Sequence, residues 1–358
     1  MDNSSYPISV HLVTYNSSIW LPYILEALVR QTRQDFFLLV IDNGSVDNSL
    51  ALVEQALVKF PQLRMRCRVV HNKQNLGFAR AHNQALAWTD STYVMLLNPD
   101  ILLDDRYLES AVGRLELEPL AAAATGKLLK WNFQSASWHW EALPNLQKMS
   151  QFDSTGLVIK RSRKVTDRGQ GEFDKGQYNQ AGEVFGVSGA APVYRREALQ
   201  VVSIKGEVFD EDFVSYKEDV DLAWRLRLGG FTAWYEPEAV AYHDRRIKVG
   251  GGWREQLKQR RLWPAELKIY SWVNHLAVLL KNDSGFNILR DLPWILCHEL
   301  AKIMALAVLN PMTLFRAKLR FLRLMPRFLA KRRSLKSTRK LKPQELRKWW
   351  TSTRTLEH

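Results

Sequence analysis

The chain has 358 residues, 46% hydrophobic and 25% charged, proportions that exclude a disordered polypeptide and allow one large domain or two small ones. Its formal net charge of +14 calls for an anionic partner: nucleic acid, lipid headgroups or a phosphorylated substrate. Cys67 and Cys297 lie far apart in apolar or basic surroundings, which gives no sign of a disulfide framework or zinc site and suits a reducing compartment.

The N-terminus runs into a strand without the basic start and apolar core of a signal peptide. Ile8 to Thr14 is β-rich and ends at Thr14-Tyr15-Asn16. Leu21, Ile24, Leu25 and Leu28 give Ile19 to Gln31 helical spacing, with Ser17 or Ser18 available as N-cap. Phe36 to Ile41 is a second buried strand, ending in Asp42-Asn43-Gly44-Ser45, and Asp47 to Lys59 is helical again. Arg68 to His71 is a third strand, followed by Asn72 and by Asn75-Leu-Gly-Phe-Ala-Arg-Ala-His-Asn83, which leads into a helix. Tyr93 to Leu97 is the fourth strand; Pro99 ends it and leaves Asp100 at its carboxyl end. Buried strands alternating with amphipathic helices predict a parallel, doubly wound α/β sheet.

In such sheets ligands bind outside the carboxyl ends of the strands. Three strands end in polar clusters (Thr14 to Asn16, Asp42 to Ser45, Asn98 to Asp100), so these should converge on one crevice. Asp42 there suits a ribose hydroxyl or a base N–H. Asp100 suits a divalent metal on a diphosphate, because hard cations choose oxygen ligands. Taken alone, Asn98-Pro99-Asp100 reads equally as an ordinary turn. Neither a P-loop nor a dinucleotide-binding glycine fingerprint is present.

These residues carry a family resemblance. Thr14-Tyr15-Asn16, Asp42-Asn43-Gly44-Ser45-x-Asp47, Asn75-x-Gly77-Phe78-x-x-x-x-Asn83 and Asn98-Pro99-Asp100 resemble the nucleotide half of an inverting family 2 glycosyltransferase of the GT-A fold. The family commonly has Asp-x-Asp as its metal motif. Here Asn98 stands first, a variant similar to that of rhamnosyltransferase-like members. The resemblance spans about residues 7 to 245. It implies that Thr14, Tyr15, Asn16, Asp42, Asn43, Ser45, Asn75, Gly77, Asn83, Asn98 and Asp100 bind the nucleotide-sugar.

Beyond Asp104 the pattern predicts a helix to about Glu118 and a small-residue strand from Ala121 to Leu129. Trp131 to Asp174 reads as irregular, with Trp131, Trp138 and Trp140 suited to sugar stacking. The run Lys160-Arg-Ser-Arg-Lys164 suits either a phosphate or a solvated loop. Phe185 to Pro192 is rich in small residues, where a ligand or another backbone could approach closely. From Phe209 to Asp221 the chain is strongly acidic and then continues as a helix. Carboxylates in a first turn favour the helix dipole, yet Asp210, Glu211, Asp212, Glu218, Asp219 and Asp221 exceed what a cap needs. The resemblance matches Glu218-Asp219 to the family's Glu-Asp motif, with Asp219 as general base, and places Gly189, Asp221 and Trp224 on the acceptor side. Thr232 to Tyr242 is a strand leading to His243. Alone that histidine would be read as structural; the resemblance makes it a metal ligand with Asp100. Gly250-Gly-Gly252-Trp253 looks like a flap.

Trp263 to Leu280 and Leu289 to Leu309 are apolar helices, and His298, Glu299 and Lys302 share a face of the second. That charge argues for an interfacial or core helix over a spanning one. No acidic residue occurs from Leu300 to Gln344, while Lys and Arg recur among Leu, Phe and Met, a pattern suited to an anionic membrane surface. Leu356-Glu357-His358 reads as the start of a purification tag.

The expected architecture is therefore an α/β GT-A domain over residues 1–250, with a mostly parallel sheet. Its nucleotide half would lie in about 1–120 and its acceptor half in 121–250, followed by a basic helical extension over 251–355. The resemblance implies inverting transfer of a sugar, best matched by L-rhamnose from dTDP-rhamnose and otherwise by a UDP-sugar, to a hydroxyl of a glycan or polyprenyl-linked glycan. It further implies Mg²⁺ or Mn²⁺, bacterial surface-polysaccharide synthesis and, with the basic tail, a cytoplasmic enzyme peripheral on the inner membrane face, with no nucleic acid partner. Two other readings are a sugar-nucleotide pyrophosphorylase, whose glycine-rich N-terminal signature is missing, and a non-catalytic protein that binds membrane or nucleic acid.

Overall fold

Apolar runs set between turn residues build the first half of the molecule. The computed structural model describes residues 5–131, 148–245 and 263–351; Trp138, Trp140, Gly250 to Trp253 and Leu356 to His358 lie outside the described residues. The first elements are β1 (Ile8–Thr14), α1 (Leu21–Val29), β2 (Phe36–Asp42), α2 (Ser49–Lys59), α3 (Pro61–Arg64), β3 (Cys67–His71), α4 (Phe78–Ala87) and β4 (Tyr93–Leu97). Every residue of β2 and β4 is buried, as strands covered on both faces require. They pair in parallel in the order β3-β2-β1-β4. Thr14 stands beside Asp42, and Asp42 beside His71, so these side chains share one sheet edge.

The chain continues through β5 (Ile101–Leu103), α5 (Tyr107–Leu117), β6 (Ala121–Trp131), β7 (Lys148–Ser154), β8 (Leu157–Lys160), β9 (Val165–Asp167), β10 (Gly182–Glu183), β11 (Val193–Arg195), α6 (Arg196–Val201), α7 (Glu218–Leu228) and β12 (Thr232–His243). Short β11 runs antiparallel between β4 and β6, and β12 continues the sheet beyond β6 in parallel. The α/β architecture thus holds, with four parallel strands in the first half and antiparallel pairings added after Asp100.

Within the stretch expected to be irregular, Trp131 to Asp174, the described residues 148–174 contain three strands. β7 pairs with β6, and β8 with β9 as a hairpin. Trp131 is buried edge-on against Tyr23, so it is a core residue and no stacking platform. The basic run is likewise neither phosphate site nor solvated loop. Arg163, wholly buried at the hairpin turn, bonds Asp283 and Asp291 at 2.8 Å each, and Arg161 joins it on Asp291. Such pairing is what permits a charge to be buried at all.

Those aspartates sit at the junctions between the C-terminal helices, which are α8 (Ala265–Asn282), α9 (Gly285–Arg290), α10 (Leu292–Leu309) and α11 (Pro311–Ser334), followed by a 3₁₀ turn, Pro343–Trp349, and β13 (Trp350–Thr351). β13 pairs with β8, and Phe213, Val220 and Trp224 share one hydrophobic cluster with Trp272, Val273 and Phe328. The helices therefore complete a core that β8 and α7 begin. By length and composition α10 could cross a membrane; only 11% of its apolar window is buried.

Candidate functional site

The loops at the carboxyl ends of β1, β2 and β3 are fastened to one another by side chains the sequence singled out. Asp42 is 1% exposed; it accepts from Thr14 Oγ1 at 3.1 Å and the Ser45 N–H at 3.2 Å, and meets His71 Nδ1 at 2.8 Å. Its oxygens are thus engaged internally, and the half-exposed ring of His71 is what this triad offers to a ligand. Asn16 adopts a left-handed backbone and exchanges bonds with the second loop: its N–H donates to Ser45 Oγ, and its Oδ1 accepts from the Val46 N–H. Tyr15 stands exposed beside it.

Asn43 Nδ2 donates to Asn75 Oδ1, while Asn43 Oδ1 accepts from Asn72 and from the Leu76 N–H. Asn75 Oδ1 in turn accepts from the Gly77 N–H. Gly77 has φ 81°, and a Cβ there would meet the Val214 carbonyl oxygen at 2.8 Å, so no other residue fits this close approach. Asn83, expected at the same edge, turns to the acidic loop instead. Its amide is spent on the Phe209 N–H and C=O and on Glu211, which brackets the acidic loop.

Strand register builds the next corner. β5 pairs antiparallel with β12, setting His243 opposite Ile101, and the Asp244 N–H donates to the Asp100 carbonyl at 3.0 Å. His243 Nε2 lies 3.5 Å from Asp100 Oδ2, and its Nδ1 lies 2.7 Å from Asp153 Oδ2. Arg245 then bonds Asp153 and Asp167. Burial alone would lower the His243 pKa, but the Asp100 and Asp153 carboxylates outweigh it and push it up to about 10. Burial likewise disfavours charge on Asp153, yet His243 and Arg245 hold its carboxyl below the usual range.

Asp100 Oδ1 is buried without a hydrogen-bond partner. Once a divalent ion displaces the Nε2 proton of His243, a free carboxylate oxygen beside an imidazole whose far nitrogen is fixed by a second carboxylate is a donor set that fits that ion. Asn98 sits at the same turn, its N–H bonded to the Ala190 carbonyl.

That last bond carries the small-residue stretch to the acid motif. Next to Ala190, the Gly189 N–H lies 3.3 Å from Asp219 Oδ2. Glu218 and Asp219 open α7 after a loop in which Val214, Tyr216 and Lys217 all have positive φ, a conformation that persists only when neighbours enforce it. Here Asn274 Nδ2 of α8 reaches the carbonyls of Phe213, Ser215 and Tyr216 within 2.9 Å, and the Phe78 N–H takes that of Val214. Glu218 is buried with Oε2 unpartnered. Burial, with Asp219 adding repulsion, raises its pKa to about 8, so it is a neutral acid beside the Asp219 carboxylate.

The remaining acids of this segment serve structure. Asp221 is fully buried and accepts from Arg225 at 2.9 Å, Lys281 at 2.9 Å and Asn282 at 2.8 Å. Asp210 is buried against Lys281 and Lys331, and Asp212 pairs with Arg327 and Lys331. Trp224, 1% exposed, packs on Phe185. Asp221 and Trp224 are therefore interior residues and cannot touch an acceptor; Gly189 alone of that trio borders the acid motif. Sequence reading missed His71, Asp153, Asp167 and Arg245. Only His71 had a signal, its place at the end of a strand whose neighbours end in site residues.

A family profile described as Glycosyl transferase family 2 matches residues 9–202. Poly-beta-1,6-N-acetyl-D-glucosamine synthase of Staphylococcus epidermidis is 24% identical over 253 residues, 70% of this chain and 53% of that protein. The protein of the same name from Staphylococcus aureus (strain COL) matches equally. The chain thus spans about half the length of the curated relatives it matches. Among solved structures, GalNAc-T7 with UDP, GalNAc and Mn²⁺ superposes with TM-score 0.55 at 11% identity, over 78% of this chain and 48% of that one. The mannosyltransferase PcManGT from Pyrobaculum calidifontis, in complex with GDP-Man and Mn²⁺, gives 0.51 at 18%, over 93% and 85%. These likenesses establish the fold.

Proposed function

The chain belongs to glycosyl transferase family 2, and from that premise we propose that it transfers a sugar, with inversion, from a nucleoside-diphosphate donor to a hydroxyl of a glycan or lipid-linked glycan. The observation that carries this reading is the convergence of two corners on one sheet edge: Asp100 with His243, and Gly189 with Asp219. The edge made by Thr14, Asp42 and His71 receives the nucleoside. Asp100 and His243 are the residues that would hold Mg²⁺ or Mn²⁺, which when bound offsets the charge on the departing diphosphate. Asp219 takes the proton of the acceptor hydroxyl as its oxygen attacks the anomeric carbon from the face opposite the nucleotide. Glu218, neutral and out of water, keeps a second negative charge away from that reaction.

Two donors stay in play. Asn98-Pro99-Asp100 supports dTDP-L-rhamnose, whereas the UDP in the GalNAc-T7 structure and the hexosamine polymer named for the staphylococcal relatives support a UDP-sugar. Thermal-shift titration with dTDP, UDP and GDP, each with and without Mn²⁺, tests the reading. A metal-dependent rise with one nucleotide is expected; no rise with any of them would refute it.

By this reading the acceptor is met at the cytoplasmic face of an anionic membrane. What supports this is the outward face of α10 and α11, where Leu300, Met304, Val308, Met312, Phe315, Leu319 and Leu322 are all exposed, with Lys318 and Arg323 exposed on α11 among them. Apolar patches of this extent mark interaction sites, and the interleaved positive charge complements anionic headgroups.

A further inference from the structure

The corner at His243 holds one more carboxylate than the ligand pair needs. Asp100 and Asp153 flank the same imidazole, yet their geometries differ. Asp153 Oδ2 lies 2.7 Å from Nδ1, the length of a charge-assisted hydrogen bond, whereas Asp100 Oδ2 stays 3.5 Å from Nε2. Their surroundings differ as well: the Asp153 side chain is 1% exposed and that of Asp100 is 21% exposed. An ionised carboxylate can only accept, so Nδ1 donates to Asp153, and Nε2 is the nitrogen left for a ligand. The inner carboxylate anchors the ring; the outer one stays open.

Strand geometry puts this anchor in place. Successive side chains of a strand point to opposite faces, and the chain keeps that alternation through the end of β12. His243 and Arg245 turn toward β7 and β9, where they meet Asp153 and Asp167. Asp244, between them, turns away and accepts from Trp20 Nε1 at 2.9 Å. β7 is held on β6, and β6 on β12, so anchor and ligand ride on one sheet. The adjacent Phe152 is wholly buried, which pins the backbone of Asp153.

A carboxylate this deep requires compensation. Arg245 supplies it: its Nη2 lies 3.0 Å from Asp153 Oδ2 and 3.3 Å from Asp167 Oδ2. The bland role for Asp153 is therefore that of a buried partner for Arg245. Two observations favour a larger one. Arg245 already has Asp167, whereas His243 Nδ1 has Asp153 as its one hydrogen-bond partner among the described residues. And the imidazole so anchored is the one that faces Asp100, whose Oδ1 is left without a partner.

We propose that Asp153 is the positioning residue of this centre: it fixes the His243 ring with Nε2 toward Asp100 and thereby sets the affinity for the divalent ion. The proposal rests on the reading of Asp100 and His243 as the ion's ligands. A carboxylate behind a ligating histidine fixes its tautomer and ring orientation and makes the other nitrogen a stronger donor to the metal; losing it costs about 10- to 100-fold in metal affinity. The hairpin that carries Asp153 and Asp167 then belongs to the metal centre as well as to the scaffold.

The test is a titration of the full chain with Mn²⁺, the free ion followed by its EPR signal, in wild type, D153N, D244N, D100A and H243A. D153N should bind about 10- to 100-fold more weakly than wild type. D244N removes the same charge beside the ligand but on the opposite face, and should keep wild-type affinity. Equal affinity of D153N and wild type would overturn the proposal. So would equal losses in D153N and D244N, which would mark a long-range effect of charge. D100A and H243A report on the underlying reading: if both keep wild-type affinity, the ion binds elsewhere, and reading and proposal fall together. If both lose it while D153N does not, the proposal falls alone. A second measurement needs no variant. In ¹⁵N-histidine spectra of wild type with Zn²⁺ as a diamagnetic ion, His243 should keep its proton on Nδ1 while the Nε2 resonance moves. A proton found on Nε2 in the loaded protein would overturn the assignment, even where D153N fails to fold.

Discussion

At the residue scale, Glu218 and Asp219 are adjacent carboxyls in opposed environments: one buried with an unpartnered oxygen, the other beside the Gly189 N–H. Replacing Asp219 by Asn removes the proton acceptor and leaves the nucleotide edge untouched. Transfer should fall by about 10² to 10⁴-fold, with nucleotide-induced thermal shifts retained; near-normal initial rates would sink the assignment. Glu218 gives a pH signature. Its pKa rises from 4.5 to about 8 on folding, so between those values the unfolded chain has released a proton that the folded chain keeps. Stability is then lost as pH rises through that window. Glu218→Gln, neutral throughout, should lose less melting temperature than wild type between pH 5 and 8; parallel curves would refute the buried neutral acid. At the other corner, Asp100→Ala and His243→Ala should each abolish the Mn²⁺-dependent part of nucleotide binding. Activity that survives EDTA would show that the diphosphate is held without metal.

At the element scale, α8 does most to hold the acid motif in place. Asn274 grips the loop of positive φ, and Lys281 neutralises Asp210 and Asp221. Removing one partner from a buried ion cluster leaves charge without compensation, at a cost of about 3–5 kcal/mol. Lys281→Met should therefore lower the unfolding free energy measured by urea titration by that much, far more than Arg316→Met, whose pair with Glu266 is exposed. Similar effects for the two would mean that the cluster is not a structural element. The acid surplus between Phe209 and Asp221 has the same explanation: most of it matches lysines and arginines more than fifty residues further along the chain.

At the scale of the whole molecule, the positive charge of the C-terminal third divides between two tasks. Lys281, Lys331 and Arg327 face inward onto the acidic loop, while Lys318 and Arg323 stay on α11 among exposed Leu and Phe. Deleting the tail would strip Phe328 and Lys331 from the shared core, so point changes are the proper probe of membrane docking. Replacing Met304, Val308, Met312 and Phe315 together by Ser should sharply reduce co-sedimentation with anionic vesicles and leave the melting temperature nearly unchanged. Because charge attraction is screened over about 10 Å at 0.1 M salt while apolar burial is not, wild-type binding should need anionic lipid and resist salt only in part. Equal binding to neutral and anionic vesicles would refute the electrostatic component.

What the sequence determined by itself was the alternation of buried strand and helix up to Asp100 and the polar clusters that end those strands. Both are local: period, turn residues and the parallel-sheet rule suffice to bring Thr14, Asp42 and Asp100 to one edge. The tertiary structure decided which charged groups face a ligand. Asp42 turns inward and leaves His71 outside, because three neighbouring donors satisfy its oxygens. Asp221 and Trp224 go to the core, and Lys160 to Lys164 becomes an anchor, because their partners, Lys281, Asp283 and Asp291, arrive on helices far along the chain. Asp153 entered the His243 corner only through the pairing of β7 with β6, a strand the polar composition of that segment concealed. Such pairings depend on long-range register and ion-pair geometry, which no local pattern in the sequence records.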